Sequence, residues 1–310
     1  MKILIELPTW IGDTVMATPA IENIVSHYDD PEITILGSSA STELMRNHPK
    51  VVKIKLIRKN YISLLRVSKK LGDFDVFFSF RSSFRSKILS LLISSKNKYQ
   101  INIGNYKNCH QVEKYNQFLN NSLKTNFIAG KLTIFQSFNN SIAKSKRFPI
   151  MGINPGASYG DAKRWHSKEF AEVAIKLSVE YDILIFGGQN EKDIASEIEK
   201  ILLKAGVSNY TNLSGKTSIS ELLVNISNLD LLITGDSGPM HIAAGFQIPT
   251  ISIFGPTKDN ETSQWMNENS IILKKSLECQ PCMKRTCPLR HNNCMKLIKA
   301  KDVLEAVELF

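Results

Sequence analysis

The chain has no long apolar run: no window approaches the eighteen or so uninterrupted apolar residues of a membrane-spanning helix. The opening Met1-Lys-Ile-Leu-Ile-Glu-Leu-Pro8 is too short, and too soon interrupted, for a secretion signal, and reads as a first β-strand. A protein made and kept in the cytoplasm is the expectation. There is no low-complexity tract and no short-period repeat, which argues against disordered and solenoid classes. No G-x-x-x-x-G-K-[ST] string is present, so no Walker A loop is expected. Acidic side chains are scarce in the first half: residues 1–148 hold 22 Lys/Arg against 10 Asp/Glu, and residues 51–100 hold 12 against 2. Residues 149–310 hold 17 against 19, so the net charge of +10 belongs to the first half. Such an excess fits nucleic acid, an anionic membrane surface or an acidic substrate; the alternative is a solvated lysine surface, with Lys59, Lys69, Lys70, Lys96 and Lys98 near element ends.

What is present describes a soluble globular protein. Hydrophobic residues make up 43% and charged residues 22% of 310, enough chain for two ordinary domains. In the first half, strand patterns at 2–7, 32–36, 51–57, 76–80 and 99–103 alternate with helical periodicity at 13–27, 41–47, 61–71 and 83–93. A polar, patternless stretch at 137–148 reads as a linker. The alternation restarts with strands at 149–154, 183–186, 231–234, 250–254 and 271–273, and helices at 167–180, 191–205, 218–228, 239–246 and 300–309. The expectation is α/β: two doubly wound, Rossmann-like domains, 1–148 and 149–310, with a cleft between them and ligands at the carboxyl ends of the strands.

Five motifs stand at predicted strand ends or in loops. In Pro8-Thr-Trp-Ile-Gly-Asp13, Gly12 permits a tight turn, and Asp13 is either a helix N-cap or a general base. In Asn154-Pro-Gly-Ala-Ser-Tyr-Gly-Asp-Ala-Lys163, small residues suit phosphates, with Ser158 or Tyr159 as donors and Lys163 as a point charge; the alternative is an ordinary turn. In Gly187-Gly-Gln-Asn-Glu191 the carboxylate is either a ribose acceptor or a first-turn residue favoured by the helix dipole. Thr234-Gly-Asp236-Ser237-Gly238-Pro-Met-His241 is a strand–turn–helix junction that aims unpaired amides at one point and suits phosphate. The next strand ends in a similar loop, Phe254-Gly-Pro-Thr257. Cys279, Cys282, Cys287 and Cys294 lie within 16 residues, whereas Cys109 is alone. Four thiols so placed suit structural zinc, a cluster, or reduced structural thiols.

Read together, the motifs resemble glycosyltransferase family 9, the lipopolysaccharide heptosyltransferases. Any one of them is a weak signal; Pro8–Asp13, Asn154–Ala157, Ala162–Trp165, Gly187–Glu191, Gly235–His241 and Phe254–Thr257, in order and each at a strand end, are a strong one. The Cys-x-Pro-Cys…Cys-Pro…Cys-Met tail is similar to that of members that add the second heptose. The resemblance runs nearly end to end and implies GT-B architecture, with the acceptor on the first domain and ADP-heptose on the second. It makes Asp13 the catalytic base, with Gly12 among the acceptor-binding residues. Lys163 would neutralise the donor diphosphate and Glu191 hold the ribose, while Asp236, Ser237, Gly238 and His241 bind diphosphate and sugar. Ser158 and Tyr159 are further donor-side candidates, and the loop at Thr217-Ser218 would lie by the adenine.

The reaction implied is inverting transfer of heptose from ADP-heptose to the first heptose of the inner core. No cofactor and no catalytic metal are expected, and Asp73-Phe-Asp75 reads as structural. The acceptor carries Kdo carboxylates and lipid phosphates, for which Arg81 and Arg85 are candidates. Peripheral contact with the anionic cytoplasmic face of a Gram-negative inner membrane follows from the same charge. The C-terminal helix is expected to pack back on the first domain. The rival readings are a family 9 transferase for another core position or another ADP-sugar, and a nucleic-acid-binding protein with a four-cysteine metal site. The second lacks basic motifs interleaved with aromatics, so no nucleic acid is expected.

Overall fold

Strands and helices alternate almost without exception, as the apolar periodicity requires. The computed structural model describes residues 1–58, 60–136 and 148–310. The chain divides at Met1–Phe138 and Asn139–Phe310. The linker read at 137–148 lies, except for its last residue, outside the described residues.

The first unit runs β1 (Lys2–Glu6), α1 (Ile11–His27), β2 (Glu32–Gly37), α2 (Ser39–Leu44), β3 (Val51–Leu56), α3 (Tyr61–Ser68), β4 (Asp73–Ser79), α4 (Phe84–Leu92), β5 (Ser94–Gln100) and α5 (Gln111–Leu123). Its parallel sheet has the order β3-β2-β1-β4-β5. The second unit runs β6 (Ile150–Asn154), α6 (Ser167–Leu177), β7 (Asp182–Ile185), α7 (Lys192–Lys204), β8 (Tyr210–Asn212), α8 (Ile219–Ser227), β9 (Leu231–Gly235), α9 (Gly238–Gly245), β10 (Thr250–Phe254), α10 (Asp259–Thr262), β11 (Ser270–Lys274), α11 (Asn293–Lys296) and α12 (Ala300–Val307). Its sheet, also parallel, has the order β11-β10-β9-β6-β7-β8. Both are the doubly wound α/β sheets expected.

Winding reverses between β1 and β4 in the first sheet and between β6 and β9 in the second. At such a switch the flanking loops diverge and leave a crevice at the carboxyl ends of the strands. The central strands are buried on both faces: β9 and β10 have no exposed residue, as the apolar runs LLITG and TISIF predict. In the first unit Leu4, Leu36 and Phe77 pack under Leu64 of α3 and Leu89 of α4. In the second, a single cluster joins Ile153, Ile185, Ile233 and Ile253 to Phe170 and Val303.

Three differences from the expected elements have physical causes. β5 begins at Ser94, not at residue 99; its sequence SSKNKYQ is polar because it is an edge strand, half exposed. Helix α5, not among the expected helices, is built from the polar string QVEKYNQFLNNSL; Val112, Tyr115, Phe118 and Leu119 supply its buried apolar stripe. β8, three residues long, is too short to show a period. The C-terminal helix contributes to its own unit: Val303 and Ala306 of α12 join the second-unit core against α6, β10 and β11.

Of the Asp73-Phe-Asp75 pair, Asp75 is used in structural contacts. Asp73 opens β4, and Asp75 accepts from the Lys2 amide at 2.9 Å and from Lys96 Nζ at 2.7 Å.

Candidate active site

The second switch point carries a polar cluster built from strand ends. Asn154 and Thr234 are register partners at the ends of β6 and β9, so their side chains lie side by side. The Asn154 amide donates to Thr234 Oγ1 at 3.2 Å, to Ser237 Oγ at 3.0 Å and to the Gly156 carbonyl at 3.3 Å. This fixes the loops after both strands at once. Ser237 is the N-cap of α9, with Gly238 and Pro239 opening the helix. Its side chain is held by Asn154 rather than capping, so the first-turn amides keep the positive helix end that suits an anion. His241 lies buried one turn further along.

Lys163 is set beside this helix start. Its ammonium donates to Asp236 Oδ2 at 2.6 Å and to the Asp236 carbonyl at 3.2 Å, and both side chains are largely buried. The same carboxylate oxygen accepts from Thr257 Oγ1 at 2.7 Å, which ties in the loop after β10. Both of these ammonium contacts go to Asp236, which holds Lys163 in place. Asp236 emerges as the anchor of Lys163. Trp165 supports the arrangement from below: it is buried, stacks edge-on against Phe170, and donates from Nε1 to the Ile298 carbonyl at 2.9 Å.

Glu191 ends a short 3-10 turn and caps α7. It is buried, and its Oε2 accepts from the Gly188 amide at 2.7 Å. The backbone of Gly156 presses against its carboxylate: a Cβ at position 156 would overlap Glu191 Cδ and both oxygens. Glycine is required there by close approach. Ser158 is exposed. Ser218, expected with Thr217 to lie by the adenine, is the N-cap of α8, in a capping box with Glu221.

The cysteine-rich segment braces these loops. Tyr159 donates to the Met283 carbonyl at 2.8 Å, and the Ala162 amide to the Arg285 carbonyl at 3.0 Å. The Met283 amide donates to the Pro256 carbonyl at 2.8 Å, and Gln280 Nε2 to the Gly255 carbonyl at 2.7 Å. A Cβ on Gly160 would collide with the Arg285 carbonyl. The Tyr159 ring has the Lys163 ammonium at 4.9 Å and the Arg285 guanidinium at 5.2 Å from its centroid. All four cysteines of the segment are free thiols. Burial, and then the other three thiols, push the Cys294 thiol up, whereas backbone amides led by that of Asn292 pull Cys287 down. Among the described residues no group of three or more His, Cys, Asp or Glu side chains is arranged to hold a metal ion. Of the alternatives for Cys279, Cys282, Cys287 and Cys294, this geometry lends no support to a metal; the contacts the segment makes with the site loops run through its backbone.

In the first unit the switch point is charged. Glu6 and Ser79 are register partners at the ends of β1 and β4. The buried Glu6 carboxylate accepts from Ser79 Oγ at 2.6 Å and Ser86 Oγ at 3.0 Å, and pairs with Arg81 Nη1 at 3.5 Å. Burial raises its pKa, against the pull of Ser79, Arg81, Ser86 and Arg85. Arg85 donates to the Arg58 carbonyl, while its Nε is buried with no hydrogen-bond partner. Arg81 and Arg85 are therefore brought together, around a carboxylate that sequence reasoning missed. A lone Glu closing an apolar first strand was the available signal.

Asp13 stands in the first turn of α1, three residues after the N-cap Trp10, so the N-cap reading is overturned. Gly12 beside it is buried. Asp13 is partly buried, and its charge, after burial, helps push the Tyr115 hydroxyl well above its ordinary range. The helix stays intact through Pro19 because Thr18 Oγ1 donates at 2.7 Å to the Val15 carbonyl that the proline leaves without an amide.

Residues 76–292 match the profile of glycosyltransferase family 9 (heptosyltransferase). A curated relative, lipooligosaccharide heptosyltransferase 2 of Campylobacter jejuni, is 44% identical, with 98% of this chain and 97% of that protein covered. The structure of Escherichia coli ADP-heptose LPS heptosyltransferase II superposes with a TM-score of 0.79 at 20% identity, covering all of both chains. E. coli heptosyltransferase WaaC with ADP-2-deoxy-2-fluoro heptose superposes with a TM-score of 0.75 at 15% identity, covering 99% of each. These superpositions show the fold, two parallel-sheet α/β domains of the GT-B heptosyltransferase kind.

Proposed function

The chain belongs to glycosyltransferase family 9, the heptosyltransferases, and we propose that it transfers heptose from ADP-heptose to the first heptose of the lipopolysaccharide inner core. The observation that carries the reading is the second switch point. There Asn154, Thr234, Ser237, Asp236 and Thr257 hold a lysine and a helix start on one crevice. That is a diphosphate site made without metal ligands. Full-length likeness to a protein named lipooligosaccharide heptosyltransferase 2 supplies the sugar and the acceptor position.

The Asp13 carboxylate takes the proton from an acceptor heptose hydroxyl. The oxygen forms its bond to the anomeric carbon from the face opposite ADP, and the anomeric carbon–phosphate oxygen bond breaks with its electron pair going to ADP. Configuration inverts. Lys163 and the amides of Ser237 and Gly238 stabilise the charge that grows on the diphosphate. Glu191 accepts from the ribose hydroxyls, and His241 and Ser158 complete the sugar and phosphate contacts. Arg81 and Arg85 meet acceptor carboxylates and phosphates. No cofactor is needed. The enzyme works at the cytoplasmic face of the inner membrane, where its lipid-anchored acceptor lies; among the described residues no helix is long and apolar enough to cross a membrane.

Asp13→Ala tests the assignment. Turnover is expected to fall by roughly 10²–10⁴, with ADP affinity by calorimetry unchanged. Near-normal turnover removes Asp13 as the base. Defined truncated cores test the acceptor: activity confined to Kdo-terminated cores would place the enzyme at the first heptose instead.

A further inference from the structure

Helices α3 and α4 are apolar on two sides. Their inward residues, Leu64 and Leu89, are spent on Leu4 and Phe77 of the sheet. Their outward residues are apolar as well: Tyr61, Ile62 and Leu65 are 52%, 61% and 45% exposed, and Phe84 and Leu91 are 71% and 82% exposed. Ile62 and Leu65 share a helical face with Arg66 and Lys69, and Phe84 and Leu91 share one with Lys87, by i, i+3, i+4 and i+7 spacing. Arg66, Lys69 and Lys87 are exposed. The two helices touch each other, and neither carries an acidic residue. The Arg85–Arg58 hydrogen bond joins the start of α4 to the segment that enters α3.

We infer that the outward face of α3 and α4 is the surface on which the protein lies on an anionic lipid leaflet. The composition selects this occupant. A second copy of the same face would bring Arg66, Lys69 and Lys87 against their own kind, with no carboxylate on either helix to answer them. A bilayer interface answers both halves of the pattern: headgroup phosphates take the cations, and the headgroup–acyl boundary takes Ile62, Leu65, Phe84 and Leu91. Neither helix is long enough to enter further. Under the proposed function, which this inference rests on, the placement is economical: Phe84 and Arg85 are neighbours, so the lipid contact continues into the acceptor contact.

The test uses the purified full chain with phosphatidylcholine vesicles, with and without phosphatidylglycerol. The wild type is expected to co-sediment with the anionic vesicles only. Arg66→Gln and Lys87→Gln should each weaken that binding about fivefold, the equivalent of ~1 kcal/mol per cation at an anionic surface. Ile62→Ser with Leu91→Ser should abolish it, while Lys200→Gln in α7 of the other unit changes nothing. Because all these side chains are exposed, the unfolding midpoint is expected to hold, and it is measured alongside. Turnover on a deacylated, water-soluble acceptor should persist in every variant, whereas turnover on vesicle-borne acceptor falls with binding. Failure of the wild type to bind anionic vesicles overturns the inference, as does unchanged binding by the Ile62/Leu91 variant. So does a dimer in light scattering that the apolar substitutions dissociate without any effect on vesicle binding. The sedimentation arm needs no catalysis, so it stands whether or not heptose transfer is the activity.

Discussion

At the same slot in two similar sheets, the two units place opposite chemistry. Where winding reverses, the first unit sets Glu6 against Ser79 and the second sets Asn154 against Thr234. The carboxylate gathers guanidinium and hydroxyl groups; the amide gathers hydroxyls and leaves the cation, Lys163, to a neighbouring carboxylate. Under the proposed function, one backbone arrangement would serve two anionic ligands in two ways. The first unit offers planar, forked donors suited to carboxylates and phosphates on sugars; the second offers a point charge and a helix start suited to a leaving diphosphate.

The comparison is most severely tested at Lys163. Lys163→Ala should weaken ADP binding and turnover together. It should also cost about 3 kcal/mol of stability, because Asp236 is left buried and short of its cation; chemical denaturation and calorimetry read both. Unchanged donor affinity would remove the contrast between the units. Exchanging the slot chemistry comes next. Asn154→Asp places a carboxylate beside the proposed diphosphate site and should raise the donor KM about tenfold with little change for the acceptor. Glu6→Gln should do the reverse, raising the acceptor KM as Arg81 loses its partner. If both variants shift the same KM, the division of labour is wrong.

A smaller effect probes the brace. Tyr159→Phe deletes one hydrogen bond to the Met283 carbonyl and should raise donor KM about fivefold, equivalent to ~1 kcal/mol, with kcat held. The smallest is a difference in pH response. Burial lifts Glu6 above the ordinary glutamate value, so the folded chain keeps that proton longer than the unfolded one. Its contribution is full below the unfolded pKa and declines as pH rises through the lifted value. Asp302 goes the other way: the Lys299 amide, with Lys275, holds it below its ordinary value. Its contribution is present above the unfolded pKa and is lost as pH falls through the lowered one. Melting midpoints across the carboxylate range should show Glu6→Gln flattening the first slope and Asp302→Asn the second.

The sequence exposed what depends on apolar periodicity and small-residue turns. β1, β6, β9 and β10 are apolar runs that end in Gly, Pro, Ser or Asp, so the strands and the loops bearing Asp13, Lys163 and Asp236 could be read together. It hid what depends on partners. Glu6 belongs to no motif, and only the β1–β4 register makes it central. Asn154 and Thr257 were inside recognised motifs, but their roles come from hydrogen bonds across 80 and 21 residues of chain. The cysteine spacing left zinc, a cluster and reduced thiols open, and it gave no sign of the bracing that the segment's backbone supplies through carbonyls without a sequence signature.

The polar edge strand β5 has a consequence for the chain in a crowded cell. A strand at a sheet margin is a template on which another copy can zip, and flat apolar margins are where such growth starts. Here the margin carries Lys96 and Lys98, one tied to Asp75 and the other to the Ser90 carbonyl. The same lysines that erased the strand from the hydrophobic pattern act as gatekeepers against ordered aggregation. Replacing both with β-branched apolar residues would make the strand easier to recognise on paper and the protein harder to keep in solution.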